Sequence, residues 1–469
     1  MSNPPRIGLL PLYVKLYDQV LPDLCAELLP FLQEVRAAFQ QRGVAVVEAP
    51  VCRAADEVAG AVRQFEQEGA DLIITLHLAY SPSLESVEAL AASRLPVLML
   101  DTTPDRGFGP ATDPMRLLNN HGIHGVQDLA CMLRRKGKPF TVVAGHLSDL
   151  RTMERACAVV AGAHAAAVFR GMRVLRIGPA FAGMGDFQCP DADFEAQLGL
   201  SIEEIPPTAL RDSVAAVTDD AVEREMHADR DAFEVALDAE VHRRSVRLGL
   251  GLRRYLEHGG FGAFSLNFLA FDLETGPLST VPFLECSKAM ARGVGYAGEG
   301  DVLTAALVGA LNAVGPTTFT EMFCADWAGG SIFLSHMGEF NPAVAAGTPR
   351  LYEKPYPFTK TNNPAAIACA PRPGLATLVN LAPGPNGSFG LLATAVEVLG
   401  DGTHPDYRDW IRGWIRPPVP VEEFLETYSR HGGTHHCALV LGDCRDAVLA
   451  FGQALGLETV ELTAKGDMR

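Results

Sequence analysis

The sequence predicts an α/β protein with two doubly wound α/β domains followed by a mostly antiparallel, barrel-like β domain. Its 469 residues exceed what one hydrophobic core normally supports. Apolar strands alternate with amphipathic helices through the first two thirds of the chain. Beyond about Gly315, short strand-like runs separated by Pro, Gly and Asn replace that alternation. We expect domain boundaries at 1–172, 173–316 and 317–469.

The first domain is predicted to be a regular series of strands and helices. Strands are expected at 6–13, 44–51, 71–79, 96–103 and 140–145, and helices at 21–42, 55–69, 83–93 and 115–136. Such a series indicates a parallel sheet covered on both faces, with ligands bound at the carboxyl ends of its strands. Neither G-x-G-x-x-G nor a Walker-type sequence follows any of these strands, so a nucleotide cofactor is not indicated.

The second domain continues the alternation. A helix at 150–170 ends at Gly171, and the strand 173–178 leads into the glycine-rich loop G-P-A-F-A-G-M-G-D-F. A polar linker at 206–220 precedes a long helix at 231–257, a strand at 262–271 and a helix at 283–292. The sequence G-Y-A-G-E-G-D then opens an apolar helix from Val302 to Leu311.

The third domain is predicted to be rich in short strands. The runs T-T-F-T, 331–335, 359–364 and 381–388 have strand character. The chain ends with a helix at 421–430, a strand at 437–442, a helix at 444–455 and a last strand. This pattern favours an antiparallel sheet or small barrel.

Composition excludes several classes of partner. The net charge of −17 argues against nucleic acid or an anionic membrane, because both require a basic surface. The longest apolar runs fall short of the ~20 residues that a membrane span needs. Ten cysteines are scattered without a C-x-x-C pair or a secretory signal, which is typical of a cytoplasmic protein with free thiols.

The chemistry-bearing residues concentrate between Gly295 and Asn341. Glu299 lies between glycines before a helix, Glu321 follows T-T-F-T, and His336 ends a strand-like segment. Two carboxylates and an imidazole are suitable ligands for a hard or borderline divalent cation. The pair His435 and His436 could supply a fourth ligand, and alternation along a strand would let at most one of them enter the site.

Each of these residues also has a purely structural interpretation. Glu299 could stabilise a helix N-terminus, although Asp301 is available to cap the same helix. His336 could be a core histidine, and Glu321 a solvated strand residue. The ligand spacings match no compact metal motif, so the residues alone permit an oxygen-rich divalent site and leave the reaction open.

Several motifs resemble those of L-arabinose isomerases and, more loosely, of L-fucose isomerases. The segment 263–311 carries A-F-S, K-A-M-A-R-G and G-Y-A-G-E-G-D-V-L-T-A-A-L in that order. The sequences S-H-M-G-E-F-N-P and G-G-T-H-H-C follow, while H-L-A-Y-S-P-S and N-H-G-I-H-G precede them. Each motif is weak alone, but five in the expected order are specific, and the chain resembles a divergent member of this family.

The resemblance implies a metal-dependent aldose–ketose isomerase that moves a proton between C1 and C2 through a cis-enediol. Its metal, usually Mn²⁺ but also Co²⁺ or Mg²⁺, would be held by Glu299, Glu321, His336 and His436, with the two glutamates transferring the protons. His124, Tyr80 and His435 would contact a small-molecule sugar. Family members are trimers or hexamers, so His124 would reach a neighbouring subunit's site; alternatively, a histidine of N-H-G-I-H-G could cap a helix.

The pocket wall departs from the family pattern, which favours retained metal chemistry with a changed substrate. Lys15, Tyr17 and Asp18 replace a glutamine-containing loop, and M-F-C follows Glu321 in place of an acidic and aromatic run. Gly338 and Asn341 replace larger residues. The expected substrate is an unidentified pentose, hexose or deoxy sugar. The alternatives are a metal-dependent epimerase or lyase, and a non-catalytic sugar-binding or regulatory protein.

Overall fold

The structure is a computed structural model, described here for residues 4–463. The chain forms two compact units. The N-terminal unit comprises the residues up to Ala167 together with Leu449–Gly456, and the second unit comprises Val168–Val448 with the residues from Leu457 onward. The division into three domains therefore stays a prediction.

The N-terminal unit is built on a five-stranded parallel sheet with the strand order β2-β1-β3-β4-β5. Its strands are β1 (Arg6–Leu12), β2 (Ala45–Glu48), β3 (Leu72–His77), β4 (Val97–Asp101) and β5 (Thr141–Ala144). Its helices are α1 (Lys15–Val20), α2 (Leu24–Gln40), α3 (Ala55–Gln67), α4 (Val87–Ala92), α5 (Ile123–Arg135) and α6 (Leu150–Phe169). Separate hydrophobic clusters cover the two faces of the sheet, which confirms the predicted doubly wound arrangement.

One helix of this unit begins later than the sequence predicts. Helix α5 begins at Ile123 and not near residue 115, because two short 3₁₀ turns occupy Pro114–Arg116 and Leu118–Asn120. A Cβ on Gly125 would lie 2.3 Å from the His77 ring, so this close approach requires glycine. The N-cap residue of α5 is Gly122, and no described side chain caps this helix. Neither histidine of N-H-G-I-H-G therefore has the capping role.

The second unit begins with a four-stranded parallel sheet with the strand order β10-β9-β6-β7. The strands up to residue 298 are β6 (Arg173–Ile177), β7 (Ser201–Ile205), β8 (Glu234–Ala236), β9 (Ala263–Leu266) and β10 (Gly295–Gly298). The helices are α7 (Asp191–Asp193), α8 (Arg211–Ala215), α9 (Asp219–Ala232), α10 (Ala239–Gly259), α11 (Phe283–Ala291) and α12 (Val302–Leu311). Every residue of α12 is buried, as expected for its uniformly apolar sequence.

Two local predictions for this region are wrong. The single helix expected at 231–257 is divided, because α9 ends at Ala232 and the three-residue strand β8 separates it from α10, whose N-cap is Asp238. The polar linker expected at 206–220 instead contains a 3₁₀ turn and α8.

The rest of the second unit contains a closed antiparallel barrel. The strands of the chain from residue 317 onward are β11 (Thr317–Asp326), β12 (Ser331–Ser335), β13 (Arg350–Glu353), β14 (Ala365–Ala368), β15 (Gly374–Pro383), β16 (Phe389–Val398), β17 (Gly413–Arg416), β18 (His436–Leu441) and β19 (Glu458–Glu461). The helices are α13 (Val421–Arg430) and α14 (Arg445–Leu455), and most of α14 belongs to the N-terminal unit. The ring runs β15-β18-β11-β12-β17-β16 and closes by pairing β16 with β15. Strand β19 pairs with β16, whereas β13 and β14 form a small sheet with β8. The barrel-like domain is thus confirmed.

Within residues 4–463, no helix is both long enough and apolar enough to cross a membrane.

Candidate metal centre

Glu299 lies in a tight turn between strand β10 and helix α12. Its backbone has a φ of 64°, which is unusual for a residue with a side chain, and Gly300 follows with a φ of 88°. A Cβ on the preceding Gly298 would lie 2.7 Å from Cε1 of His336. Asp301 ends the turn by accepting a hydrogen bond from the Thr304 backbone N–H at 2.9 Å. Strained turns of this kind persist where the surrounding packing fixes them, often at functional sites.

Three neighbouring barrel strands bring the other candidate ligands together. Glu321 on β11 pairs with Ser335 on β12 and with His436 on β18. Directly opposed residues project on the same face of a sheet, so Glu321 and His436 point to the same side. His336 comes immediately after β12. Glu321 was expected to follow a strand, but it lies inside the ten-residue strand β11.

These side chains form two overlapping groups. The ligand atoms of Glu299, His435 and His436 lie within 4.8 Å of one another, as do those of Glu321, His336 and His436. His436 belongs to both groups, and its Nε2 lies 3.5 Å from Oε2 of Glu299. The structure therefore brings together all four expected metal ligands and His435.

Both histidines of the adjacent pair approach the cluster, so the prediction that at most one would do so is wrong. Nε2 of His435 lies 3.6 Å from Oε2 of Glu299 and 3.9 Å from Oε1 of Glu321. The two rings are 4.2 Å apart between centroids. His435 precedes the first residue of β18, so the alternation of side chains along a strand does not apply to it.

A buried carboxylate stands behind each of the two expected histidine ligands. Nδ1 of His336 lies 2.8 Å from Glu339, and Nδ1 of His436 lies 3.0 Å from Asp301. This arrangement places a proton on Nδ1 and leaves Nε2 free to act as a ligand. Neither carboxylate was predicted to belong to the site, although G-E-G-D and H-M-G-E place each close to a candidate ligand.

The glycine-rich loop at 178–187 forms one wall of the cluster. The backbone N–H of Phe181 donates to the Glu299 carbonyl at 2.9 Å. Asp186 accepts hydrogen bonds from the backbone N–H of His435 at 3.0 Å and from its Nδ1 at 2.6 Å. Phe187 stacks on the His436 ring with a centroid separation of 5.3 Å. Asp186 and Phe187 were not predicted, because nothing in the local sequence indicates contacts with residues about 250 positions away.

The carboxylates and imidazoles of the cluster stabilise each other's charged forms. Burial lowers the pKa of His435, but Asp186 and then Glu299 outweigh burial and raise it to about 10. Burial likewise opposes Asp301 and Glu299, which raise the pKa of His436 to about 9. Burial raises the pKa of Glu299, whereas its histidine neighbours hold it well below its ordinary value. The carboxylates therefore favour positive charge on His435 and His436, and the histidines favour negative charge on Glu299.

The donor set fits a divalent cation. Nε2 of His436 is fully buried and has no hydrogen-bond partner among residues 4–463, although a buried polar atom normally has one. Glu299 and Glu321 supply two carboxylates, and His336 and His436 supply two imidazoles. Oxygen and nitrogen ligands of this kind suit manganese, cobalt, magnesium or zinc to differing degrees.

The other two expected site residues lie in the N-terminal unit. The Tyr80 hydroxyl is 3.4 Å from Asp128, and the Tyr80 ring is 6.3 Å from that of His121. Nδ1 of His124 is hydrogen-bonded to Nε2 of His121 at 2.8 Å. Tyr80 and His124 thus flank one histidine, and their part in a sugar site stays a prediction.

Comparison with known proteins relates this chain to L-arabinose isomerases. The model of the L-arabinose isomerase central domain matches residues 173–317, and that of the L-arabinose isomerase C-terminal domain matches residues 316–458. The L-arabinose isomerase of Mycolicibacterium smegmatis is 27% identical over 464 residues, covering 95% of this chain and 91% of that protein. That of Nocardioides sp. is 28% identical, covering 91% and 87%.

Similarity to solved structures is weak. A periplasmic solute-binding protein from Actinobacillus succinogenes with bound D-allose matches at 10% identity and a TM-score of 0.18, covering 66% of this chain and 91% of that one. A TM-score this low supports no conclusion about fold or function. The two domain models together span most of the second unit, and the relatives extend over nearly the whole chain. The chain belongs to the L-arabinose isomerase family and is a sugar isomerase, an intramolecular oxidoreductase.

Proposed function

We propose that this protein is a divalent-metal-dependent aldose–ketose isomerase that acts on a free sugar through a cis-enediol. The observation that supports the metal dependence is the convergence of Glu299, Glu321, His336 and His436, with Nε2 of His436 buried and unpartnered among the described residues. These four side chains would hold the ion. Mn²⁺ is the expected ion, and Co²⁺ and Mg²⁺ are the alternatives.

The two glutamates are suited to complementary roles in proton transfer. A bound divalent cation would supply Lewis-acid polarisation of the carbonyl and hydroxyl oxygens at C1 and C2. Histidine neighbours keep Glu299 ionised, so it is suited to accept the proton from carbon. Glu321, only partly buried and on the adjoining strand, is suited to exchange the hydroxyl proton. Such catalysis needs one carboxyl group protonated while the other is ionised.

His435, Tyr80 and His124 complete the proposed sugar site. His435 is partly exposed, and its Nε2 lies near both catalytic carboxylates, where it can hydrogen-bond a substrate hydroxyl. Tyr80 and His124 would act on the site of a neighbouring subunit in a trimer or hexamer.

The substrate is proposed to be a pentose, hexose or deoxy sugar. The names of the relatives make L-arabinose the first sugar to test. The residues after Glu321, however, are Met322, Phe323 and Cys324, and Phe323 and Cys324 are exposed. Because these departures from the family pattern change the side chains beside a catalytic carboxylate, a sugar other than L-arabinose is expected to be the better substrate.

Substitution of the two glutamates tests the proposed function. With Mn²⁺ present, Glu299→Gln and Glu321→Gln should each abolish turnover of every sugar that the native protein accepts, while circular dichroism shows an unchanged fold. Glu397→Gln is the matched control, since Glu397 pairs with Arg416 on the exposed side of the barrel. Retained isomerisation by both variants would refute the acid–base assignment.

Product analysis in deuterated water separates isomerisation from related reactions. An isomerase that exchanges its catalytic proton with solvent should place deuterium at C1 of the ketose or C2 of the aldose. Epimerisation would return an aldose or a ketose of inverted configuration, and a lyase would yield shorter fragments. Either product would replace the isomerase assignment with the corresponding metal-dependent reaction.

A further inference from the structure

We propose that Tyr296 is a positioning residue that fixes the orientation of His336 through Glu339. Tyr296 lies on β10, and its hydroxyl donates a hydrogen bond to Oε1 of Glu339 at 2.7 Å. The other oxygen of the same carboxylate accepts from Nδ1 of His336 at 2.8 Å. The three side chains form a buried chain from the parallel sheet to the metal centre. The inference rests on the proposed cation site.

The phenol is held in place on several sides. Its ring packs against Phe264 and Phe319, with centroid separations of 5.1 and 5.9 Å. Phe319 also contacts the rings of His336 and His436 at 4.5 and 4.9 Å. Burial, with further contributions from Cys286 and Glu339, raises the pKa of Tyr296 well above its ordinary value. The hydroxyl therefore remains a neutral hydrogen-bond donor at neutral pH.

Comparison of the two histidine ligands shows why Glu339 needs this second hydrogen bond. Behind His436, Asp301 receives the imidazole at one oxygen, and the Thr304 backbone N–H anchors the other at 2.9 Å. No backbone N–H of residues 4–463 donates a hydrogen bond to the Glu339 carboxylate. The Tyr296 hydroxyl instead satisfies its second oxygen, and the glutamate side chain has one more rotatable bond to immobilise than aspartate.

Removal of the phenolic oxygen would leave one carboxylate oxygen buried without a donor. Such a group tends to rotate or to recruit another partner, because an unpaired buried acceptor is unfavourable. Rotation of Glu339 would release Nδ1 of His336 and weaken the preference for the tautomer whose Nε2 is free. Outer partners of metal-binding histidines typically change metal affinity about 10- to 100-fold, and a residue one step further out should act near the lower end.

The experiment compares metal affinity in purified full-length protein. Calorimetric titration with Mn²⁺, and absorption titration with Co²⁺, should show about tenfold weaker binding by Tyr296→Phe. Tyr13→Phe is the control, since the Tyr13 hydroxyl is buried without a hydrogen-bond partner among the described residues, and it should leave metal affinity unchanged. Replacement of Tyr296 by 4-aminophenylalanine keeps a donor at that position and should restore most of the affinity.

A double-mutant cycle separates positioning from general packing. In a Glu339→Gln background, Tyr296→Phe should cause little further loss of affinity, because the two residues act on His336 in series. Equal affinity of Tyr296→Phe and native protein would overturn the inference, as would losses that add fully. If Tyr296→Phe does not fold, metal affinity can still be compared between the native protein, the 4-aminophenylalanine variant and Glu339→Gln. Absence of Mn²⁺ and Co²⁺ binding by native protein would instead refute the proposed cation site.

Discussion

Two groups of histidines in this chain have opposite surroundings. In the C-terminal histidine cluster (His336, His435 and His436), every ring has a carboxylate at Nδ1. In the N-terminal histidine cluster (His77, His121 and His124), His121 and His124 are hydrogen-bonded to each other. Neither nitrogen of the buried His77 has a partner among residues 4–463.

The difference determines the charge that each cluster prefers. Burial outweighs the opposing charge of Asp128 and lowers the pKa of His77 to about 4, and burial followed by His124 lowers that of His121. Carboxylates instead raise the pKa values of His435 and His436 to about 10 and 9, against the effect of burial. The surroundings of His435 and His436 therefore favour positive charge, whereas those of His77 and His121 favour neutral imidazole.

The largest expected effect of this contrast is acid destabilisation of the N-terminal unit through His77. Its folded pKa of about 4 lies below the ordinary 6.5, so between these values the unfolded chain binds more protons. Stability should therefore fall as the pH falls from 6.5 to 4, by about 3 kcal/mol from this group. His77→Gln, which cannot take up that proton, should show a flatter dependence in the free energy of unfolding measured by circular dichroism.

Tryptophan fluorescence provides the internal reference for this measurement. Trp327, Trp410 and Trp414 are the three tryptophans of the chain, and all belong to the second unit. Acid unfolding that is seen by circular dichroism before tryptophan fluorescence changes belongs to the N-terminal unit. Identical pH profiles for native protein and His77→Gln would contradict the assignment to His77.

The next effect concerns the carboxylate behind His436. Asp301→Asn should weaken Mn²⁺ binding about 10- to 100-fold, because an amide orients the imidazole less strongly than a carboxylate does. Asparagine is as good an N-cap as aspartate, so helix α12 should keep its first turn. Calorimetric titration measures the affinity, and thermal unfolding of the metal-free protein verifies the fold.

The N-terminal cluster supplies the matched control for that substitution. Asp128 accepts hydrogen bonds from the backbone and hydroxyl of Ser83, at 3.0 and 2.8 Å, and lies near His77. Asp128→Asn removes a comparable carboxylate near histidine but should leave metal affinity unchanged. If the two variants bind Mn²⁺ equally well, the carboxylate behind His436 does not organise a metal site.

Local sequence signals located much of the fold, whereas long-range pairing produced the errors. Helix α12 was predicted with its observed ends because an uninterrupted apolar run follows the cap Asp301. Strand β11 extends past Glu321 because β12 pairs with it from Glu321 to Asp326, which T-T-F-T alone cannot indicate. Strand β8 was missed because its three residues pair with β13 more than a hundred positions later. Asp186 was missed because its partner His435 lies 249 positions later in the sequence.

A smaller effect is expected at high pH in the C-terminal cluster. The folded pKa of His435 lies above 6.5, so its stabilisation is complete below that pH and is lost as the pH rises through about 10. The ion pair between His435 and Asp186 is partly exposed, so solvent screening reduces its contribution to the free energy of unfolding to about 1 kcal/mol. Asp186→Asn should remove this loss in metal-free protein, measured by tryptophan fluorescence during denaturant unfolding. An unchanged alkaline transition would exclude the pair as its source.

The smallest expected change in stability is at Tyr80. Its hydroxyl lies 3.4 Å from Asp128, a long hydrogen bond, and Ser83 already satisfies that carboxylate. Tyr80→Phe should therefore change the free energy of unfolding by no more than about 0.5 kcal/mol. A rise in KM with this unchanged stability would place Tyr80 in the sugar site, because loss of a structural contact would lower stability first. An unchanged KM for every accepted sugar would show that the Tyr80 hydroxyl makes no contact that contributes to substrate binding.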